Sequence, residues 1–324
     1  MHTFSELKNL INNYIKLHEF NKEPVDLYKP INYILSLGGK RLRPAMVLAA
    51  YNLYFDDIDK YLKPAIGLEI FHNFTLIHDD IMDNADIRRN KITVHKKWNK
   101  NTAILSGDAM LIIAYDFFTD LEASKFKKVF LEFNRTGLEV CEGQQYDLYF
   151  EKIKNVSINE YIKMIELKTA VLLASSLKIG GILADAPEQD LQNLYNFGKY
   201  LGLTFQLKDD FLDVYGNVDN FGKKIGGDII ENKKTFMLIS ALNKANSNDY
   251  KTLTNLINNK NINNDEKISK VIDVYNKLNV KQLAVDKMNE YQSEALKYLK
   301  KINVDNTKKT ILFNLAEQLL NRVY

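Results

Sequence analysis

Asp79-Asp80-Ile81-Met82-Asp83 and Asp209-Asp210-Phe211-Leu212-Asp213 repeat one acidic pattern, each copy set inside a long apolar stretch. Within each copy the outer aspartates are four residues apart and project from one helix face. Like charges at that spacing cost roughly 0.2–0.5 kcal/mol per pair on an exposed helix, and more when partly buried. A cation between them offsets that cost. Hard carboxylate oxygens with open positions suit Mg²⁺, which takes one or two carboxylates and completes its shell with water and phosphate oxygens. A single copy reads as a solvated helix face. Two copies, flanked by Phe74, Leu76, Ile77 and Ile81 and by Phe205, Leu207, Phe211 and Leu212, read as a diphosphate held by magnesium between two facing helices.

Positive charge stands beside both motifs. Gly38-Gly39-Lys40-Arg41-Leu42-Arg43-Pro44 sets a glycine turn and three cations before a helical stretch, an arrangement that grips an anion with backbone amides and forked guanidiniums. Arg88-Arg89 follows the first motif, and Lys223, Lys224, Lys233 and Lys234 surround Gly226-Gly227-Asp228 after the second. Each cluster alone reads as solvated surface. Their alternation with the acidic motifs points to phosphate instead. His72 lies seven residues before Asp79, two helical turns back on the same side, where it reaches toward a second anion; its alternative reading is a core histidine. His78 lies six residues from His72 on another face, so the two form no zinc pair, and His78 is read as structural.

Helices must position these groups. Apolar positions recur at helical spacing almost throughout, as in Leu191, Leu194, Tyr195, Gly198, Leu201, Gly202 and Phe205 leading into the second motif. Gly198 and Gly202 read as a close helix contact. Gly38-Gly39, Gly180-Gly181 and Gly226-Gly227 mark helix ends, and Pro64 and Pro187 mark starts. The spacing predicts helices over 4–20, 25–37, 43–55, 61–84, 99–119, 123–150, 157–179, 188–214, 234–244, 249–260, 265–278, 280–301 and 308–321. The stretch 61–84 is apolar nearly all round until His72, His78 and the aspartates, and so reads as a central, buried helix. The two motif helices are expected to face each other at the mouth of a bundle with a deep apolar interior.

Composition supports an all-α chain forming one domain over 1–324. Only five prolines occur, the last at Pro187, and no glycine follows Gly227, so the final segment has neither helix breaker. A net charge of +3 with scattered lysines argues against a nucleic-acid partner. Cys141 is the only cysteine, which excludes an internal disulfide and fits a reducing cytoplasm. The N-terminal residues lack the basic and apolar regions of a signal peptide, and no run of 18 apolar residues predicts a membrane span.

The order of motifs, GGKRLRP, DDIMD followed by RR, GQQYD, KT, FQLKDD with FLD, then GK and GGD with NKK, resembles the trans-prenyltransferase family of isoprenyl diphosphate synthases. The resemblance covers about residues 30–243. It implies an all-α bundle of the isoprenoid synthase type with a deep central cavity, usually a homodimer, that condenses an allylic diphosphate with isopentenyl diphosphate. It also implies that Asp79, Asp80, Asp83, Asp209, Asp210 and Asp213 hold three Mg²⁺ ions and the allylic diphosphate. Arg88, Lys168, Lys223 and Lys233 match the cationic grips of that substrate. Lys40, Arg43, His72 and Arg89 match a metal-free isopentenyl diphosphate site. Thr169 and Gln206 match residues near the reacting carbons, with Gln144 and Asp147 in support. The implied chemistry is ionisation of the allylic substrate, attack by the double bond of isopentenyl diphosphate and loss of a proton, with released diphosphate as base.

Product length is read from the helix running back from Asp79. Phe74 lies about 7.5 Å and Phe71 about 12 Å up the axis from Asp79. Family members that stop at farnesyl commonly have bulky aromatics at both the fourth and fifth positions before the motif, or one at the fifth with a two-residue insertion. Here Phe74 is followed by Thr75 and no insertion, a pattern that favours geranylgeranyl diphosphate over farnesyl or longer products. A class I terpene cyclase fits less well, because its second metal site is an Asn/Ser/Glu pattern. A non-catalytic subunit of a heteromeric synthase tends to lose motif aspartates, and none is missing here.

Overall fold

The computed structural model describes residues 2–216, 226–259 and 261–320. Among these the fold is all-α, and the only strands are the two-residue pair β1 (Ile87–Arg88) and β2 (Lys91–Ile92). The described residues fall into two compact units. Unit 1 comprises 1–134, 175–195 and 302–312; unit 2 comprises 135–174, 196–301 and 313–324. No described helix is long and apolar enough to cross a membrane.

Unit 1 begins with α1 (Phe4–Leu17), whose Thr3 and Glu6 form a reciprocal capping box. It continues through α2 (Val25–Ser36), α3 (Leu42–Asn52), α4 (Leu62–Met82), the hairpin, α5 (Val94–Lys97), α6 (Lys100–Asp116) and the start of α7 (Ala123–Lys152). Every residue from Pro64 to Phe71 is buried, so α4 is a core helix, as its sequence predicts. Asn99 starts α6 by accepting from the Thr102 N–H. The Arg41–Glu69 ion pair is 2.6 Å long and each side chain is only 2% exposed. Arg41 also donates to Asn12 Oδ1 and the Leu35 carbonyl, so its charge and donors are committed within the core.

Unit 2 contains α8 (Ile158–Ile165), opened by a Ser157–Glu160 capping box, then a π-helical turn over Glu166–Ala170 that runs into α9 (Val171–Leu183), whose residues from Ser175 on belong to unit 1. After α10 (Glu188–Tyr215) come α11 (Gly227–Ile230), α12 (Phe236–Lys244), α13 (Ser247–Asn258), α14 (Asn264–Lys277), α15 (Val280–Lys301) and α16 (Thr310–Leu320). Its core joins Tyr161 and Leu207 to Met237, Leu253, Val280 and Met288. A Cβ at Gly198 would lie 2.6 Å from the Ala174 Cα and one at Gly202 2.5 Å from the Ala170 Cα, so this glycine pair does make a close helix contact.

Two expectations need correction. Gly180-Gly181 does not end a helix; α9 runs on to Leu183. A Cβ at Gly180 would meet the Ala50 Cβ at 2.7 Å, and one at Gly181 would meet Leu191 and Leu194, so close packing explains both glycines. The helix expected over 157–179 is interrupted by the π turn, a feature often found at functional sites.

Candidate active site

In unit 1 the first acidic motif forms the C-terminal end of α4. Asp80 is 1% exposed. Arg88 holds it bidentately: Nε donates to both carboxylate oxygens at 2.8 and 2.9 Å, and Nη2 lies 2.8 Å from Oδ1. Burial nevertheless pushes the Asp80 carboxyl up, with Arg88 opposing. The hairpin sets this geometry, because Arg89 and Asn90 both take positive φ, 52° and 60°, in its tight turn. Outside this pinned residue, Asp79 is half-buried and Asp83 exposed.

A cationic cluster occupies the same unit. Arg89 donates to the Gly38 carbonyl and lies against Gly39, where a Cβ would come 2.9 Å from the guanidinium carbon. Gly39 also has φ 137°, a backbone conformation that favours glycine. The His72 ring is held neutral: burial pushes its pKa well down, and Arg43, Arg89, Arg88 and Arg41 add repulsion. Arg43 is lowered to about 10 by burial, with Arg89 contributing, and its Nε is buried with no acceptor. A buried donor without an acceptor, amid this many cations, suits an anionic ligand. Lys40 is exposed in the same loop.

In unit 2 the second motif ends α10. Asp210 is 6% exposed. The Tyr161 hydroxyl donates to its Oδ2, and Gln206 Nε2 donates to Oδ1 at 2.9 Å. Thr169 Oγ1 donates to Gln206 Oε1 at 3.0 Å, completing a chain from the π turn to the motif. Burial pushes the Asp210 carboxyl up to about 8, reinforced by the charge of Asp228. Asp213 Oδ2 accepts from the Asp228 N–H at 3.0 Å. Lys168, also on the π turn, pairs with Asp147 at 2.6 Å. Lys233 lies 3.6 Å from Asp228 and 3.2 Å from Glu231.

These groups surround a cavity of about 270 Å³ that brings together the three motif aspartates, Asp147, Lys168, Thr169, Gln206 and Lys233. Gln144 is buried one residue beyond Gly143, where α7 meets the Lys168 backbone, and does not line the cavity. Lys223 and Lys224 lie outside the described residues. The cavity also exposes two residues that sequence reasoning missed, Tyr161 and Asp228. Asp228 stood within the Gly226-Gly227-Asp228 tract, a usable signal; a buried tyrosine reads only as core. Among the described residues no three acidic, histidine or cysteine groups form a ready cage for a metal.

The polyprenyl synthetase family model matches residues 24–275. The chain belongs to the polyprenyl synthetase family. This makes it an isoprenyl diphosphate synthase by class, a trans-prenyltransferase, as the motif order implied. It is 40% identical over 264 residues to the short chain isoprenyl diphosphate synthase of Methanocaldococcus jannaschii, covering 80% of each chain. It is 35% identical over 325 residues to the geranylgeranyl diphosphate synthase of Saccharolobus solfataricus, covering 98% of this chain and 97% of that one. A crystal structure of a geranylgeranyl pyrophosphate synthase superposes with a TM-score of 0.95 at 41% identity over the whole of both chains.

Proposed function

We propose that the protein is a magnesium-dependent synthase that joins an allylic diphosphate to isopentenyl diphosphate and releases geranylgeranyl diphosphate. The observation that carries this reading is the presence, in one chain, of two acidic motifs with pinned middle aspartates and a separate cationic cluster around His72. The six motif aspartates are the candidate set for the three Mg²⁺ ions. Asp80 and Asp210 have both oxygens engaged by protein donors. Bound Mg²⁺ supplies neutralisation of the charge that grows on the departing diphosphate.

The protein's own side chains do the rest. Lys168, Lys223, Lys233 and Arg88, whose five N–H donors exceed what one carboxylate takes, grip the allylic diphosphate. Lys40, Arg43, His72 and Arg89 bind isopentenyl diphosphate, with Gln144 and Asp147 in supporting roles. Thr169 and Gln206 present weak oxygen dipoles that steady an allylic cation without trapping it. The product assignment rests on Phe74 and Thr75, with Phe71 behind them, and is supported by the geranylgeranyl-forming relative named above.

One synthase domain over 1–324 is supported by a family match that runs through residues of both units. A homodimer is supported by apolar side chains left in water: Ile104, Leu105 and Ile112 on α6 and Leu131 on α7 are 42–64% exposed. Cys141, the lone cysteine, supports a reducing, cytoplasmic setting. Light scattering should give twice the chain mass, and a monomer would remove the dimer. The function is tested by chromatography of products formed from labelled isopentenyl diphosphate and each allylic diphosphate. Formation of geranylgeranyl diphosphate supports the reading; failure with every allylic substrate overturns it.

A further inference from the structure

On α4 the rings of His78, Phe74 and Phe71 form a ladder. The His78 and Phe74 centroids are 4.8 Å apart at 69°, and Phe74 and Phe71 are 5.6 Å apart at 54°. Phe71 continues edge-on to Phe133 at 5.0 Å. Phe74 is therefore clamped between an aromatic ring on its deep side and an imidazole on the side of Asp79. The imidazole is itself held from α6. His78 Nε2 lies 3.2 Å from the Ile104 carbonyl, which only accepts, so Nε2 carries the proton. Its ring also fills the gap beside Gly107, where a Cβ would come 2.6 Å from the imidazole Cδ2. The residue read from sequence as merely structural thus has a defined contact on each side.

We propose that His78 is a positioning residue for product length, fixing the Phe74 ring that limits the growing chain; this rests on the reading of Phe74 as that limit. Aromatic pairs in this geometry favour one ring orientation. Without the imidazole, Phe74 tips into the vacated space beside α6 and the channel deepens by part of a ring. Gly107 belongs to the same device, because a methyl there displaces the imidazole from a different helix.

The test is the product profile of four variants, each first checked for an intact thermal transition. Phe74→Ala should lengthen the product by one or more isoprene units. His78→Ala should lengthen a smaller fraction, with the KM for isopentenyl diphosphate unchanged. His78→Phe, which keeps a ring against Phe74, should restore the native profile. The Phe74→Ala/His78→Ala double variant should add nothing beyond Phe74→Ala, since both act through one ring. Should His78→Ala fail to fold, Gly107→Ala shifts the imidazole from the α6 side instead and should change the product profile. A native profile in the folded His78→Ala or Gly107→Ala variant, alongside a lengthened one in Phe74→Ala, overturns the role of His78 and leaves Phe74 as the limit. An unchanged profile in Phe74→Ala overturns both.

Discussion

The two acidic motifs share a sequence pattern but not an environment. In unit 1 the middle carboxylate, Asp80, is nearly inaccessible and faces a guanidinium that matches it in charge and shape. In unit 2 the equivalent Asp210 is equally withdrawn, yet its partners are a phenol and an amide, neutral donors that supply hydrogen bonds without compensating charge. Asp228 adds further negative charge there, and the Asp210 carboxyl is pushed up to about 8. The middle aspartate of the first motif is thus paired with a charge of its own unit, whereas Asp210 is held by neutral donors. The difference also separates roles within a motif. The middle aspartate anchors the helix end, and on the proposed reading the outer pair meets the ion.

The largest expected effect breaks the outer groups. Asp79→Ala and Asp209→Ala should each lower turnover by about 10²-fold or more, because charge stabilisation by a metal is worth several kcal/mol. Both should keep an unchanged circular dichroism spectrum. Near-native turnover in either would show that outer and middle aspartates are not distinct in function.

Next come the anchors, compared by thermal melting. Asp80→Asn leaves the Arg88 guanidinium facing an amide and should cost about 2 kcal/mol. Asp210→Asn keeps neutral partners beside a neutral group and should cost less than about 1 kcal/mol. Equal losses would erase the contrast between the motifs.

A pH series in chelator sharpens the same contrast. Asp210 has a carboxyl pKa near 3.8 when unfolded and about 8 when folded, so the native state binds the extra proton between those values. Its contribution is fully present below about pH 4 and is lost as pH rises toward 8. Asp210→Asn should therefore flatten part of the fall in melting temperature across that window. A slope identical to that of the native protein would place the uncompensated charge elsewhere. The smallest effect is that of Tyr161→Phe. Loss of one donor to Asp210 is worth about 1 kcal/mol, so the Mg²⁺ concentration for half-maximal turnover should rise roughly five-fold, as read by titration. An unchanged requirement would reduce Tyr161 to a packing residue.

Much of this was legible in the chain. The 3.6-residue periodicity located α4 and α10, because each buries apolar residues over most of its surface, and the motifs were correctly expected at their ends. Less legible was what each charged residue does. Arg41 and Arg43 stand two residues apart in one tract, yet Arg41 is consumed by Glu69, Asn12 and a carbonyl while Arg43 keeps a buried donor unmatched. Nothing local separates them, since the deciding partner lies 28 residues away in sequence. Tyr161 and Asp210 are 49 residues apart, so their bond leaves no trace in spacing. The π turn holding Lys168 and Thr169 was equally hidden, because its apolar pattern is that of an ordinary helix.

The most direct test of the central claim is product formation with and without magnesium, using native protein, labelled isopentenyl diphosphate and an allylic diphosphate. The expected result is geranylgeranyl diphosphate in the presence of Mg²⁺, loss of product in excess chelator, and recovery when Mg²⁺ is restored. Undiminished product in chelator, or no prenyl diphosphate from any allylic substrate, would contradict it.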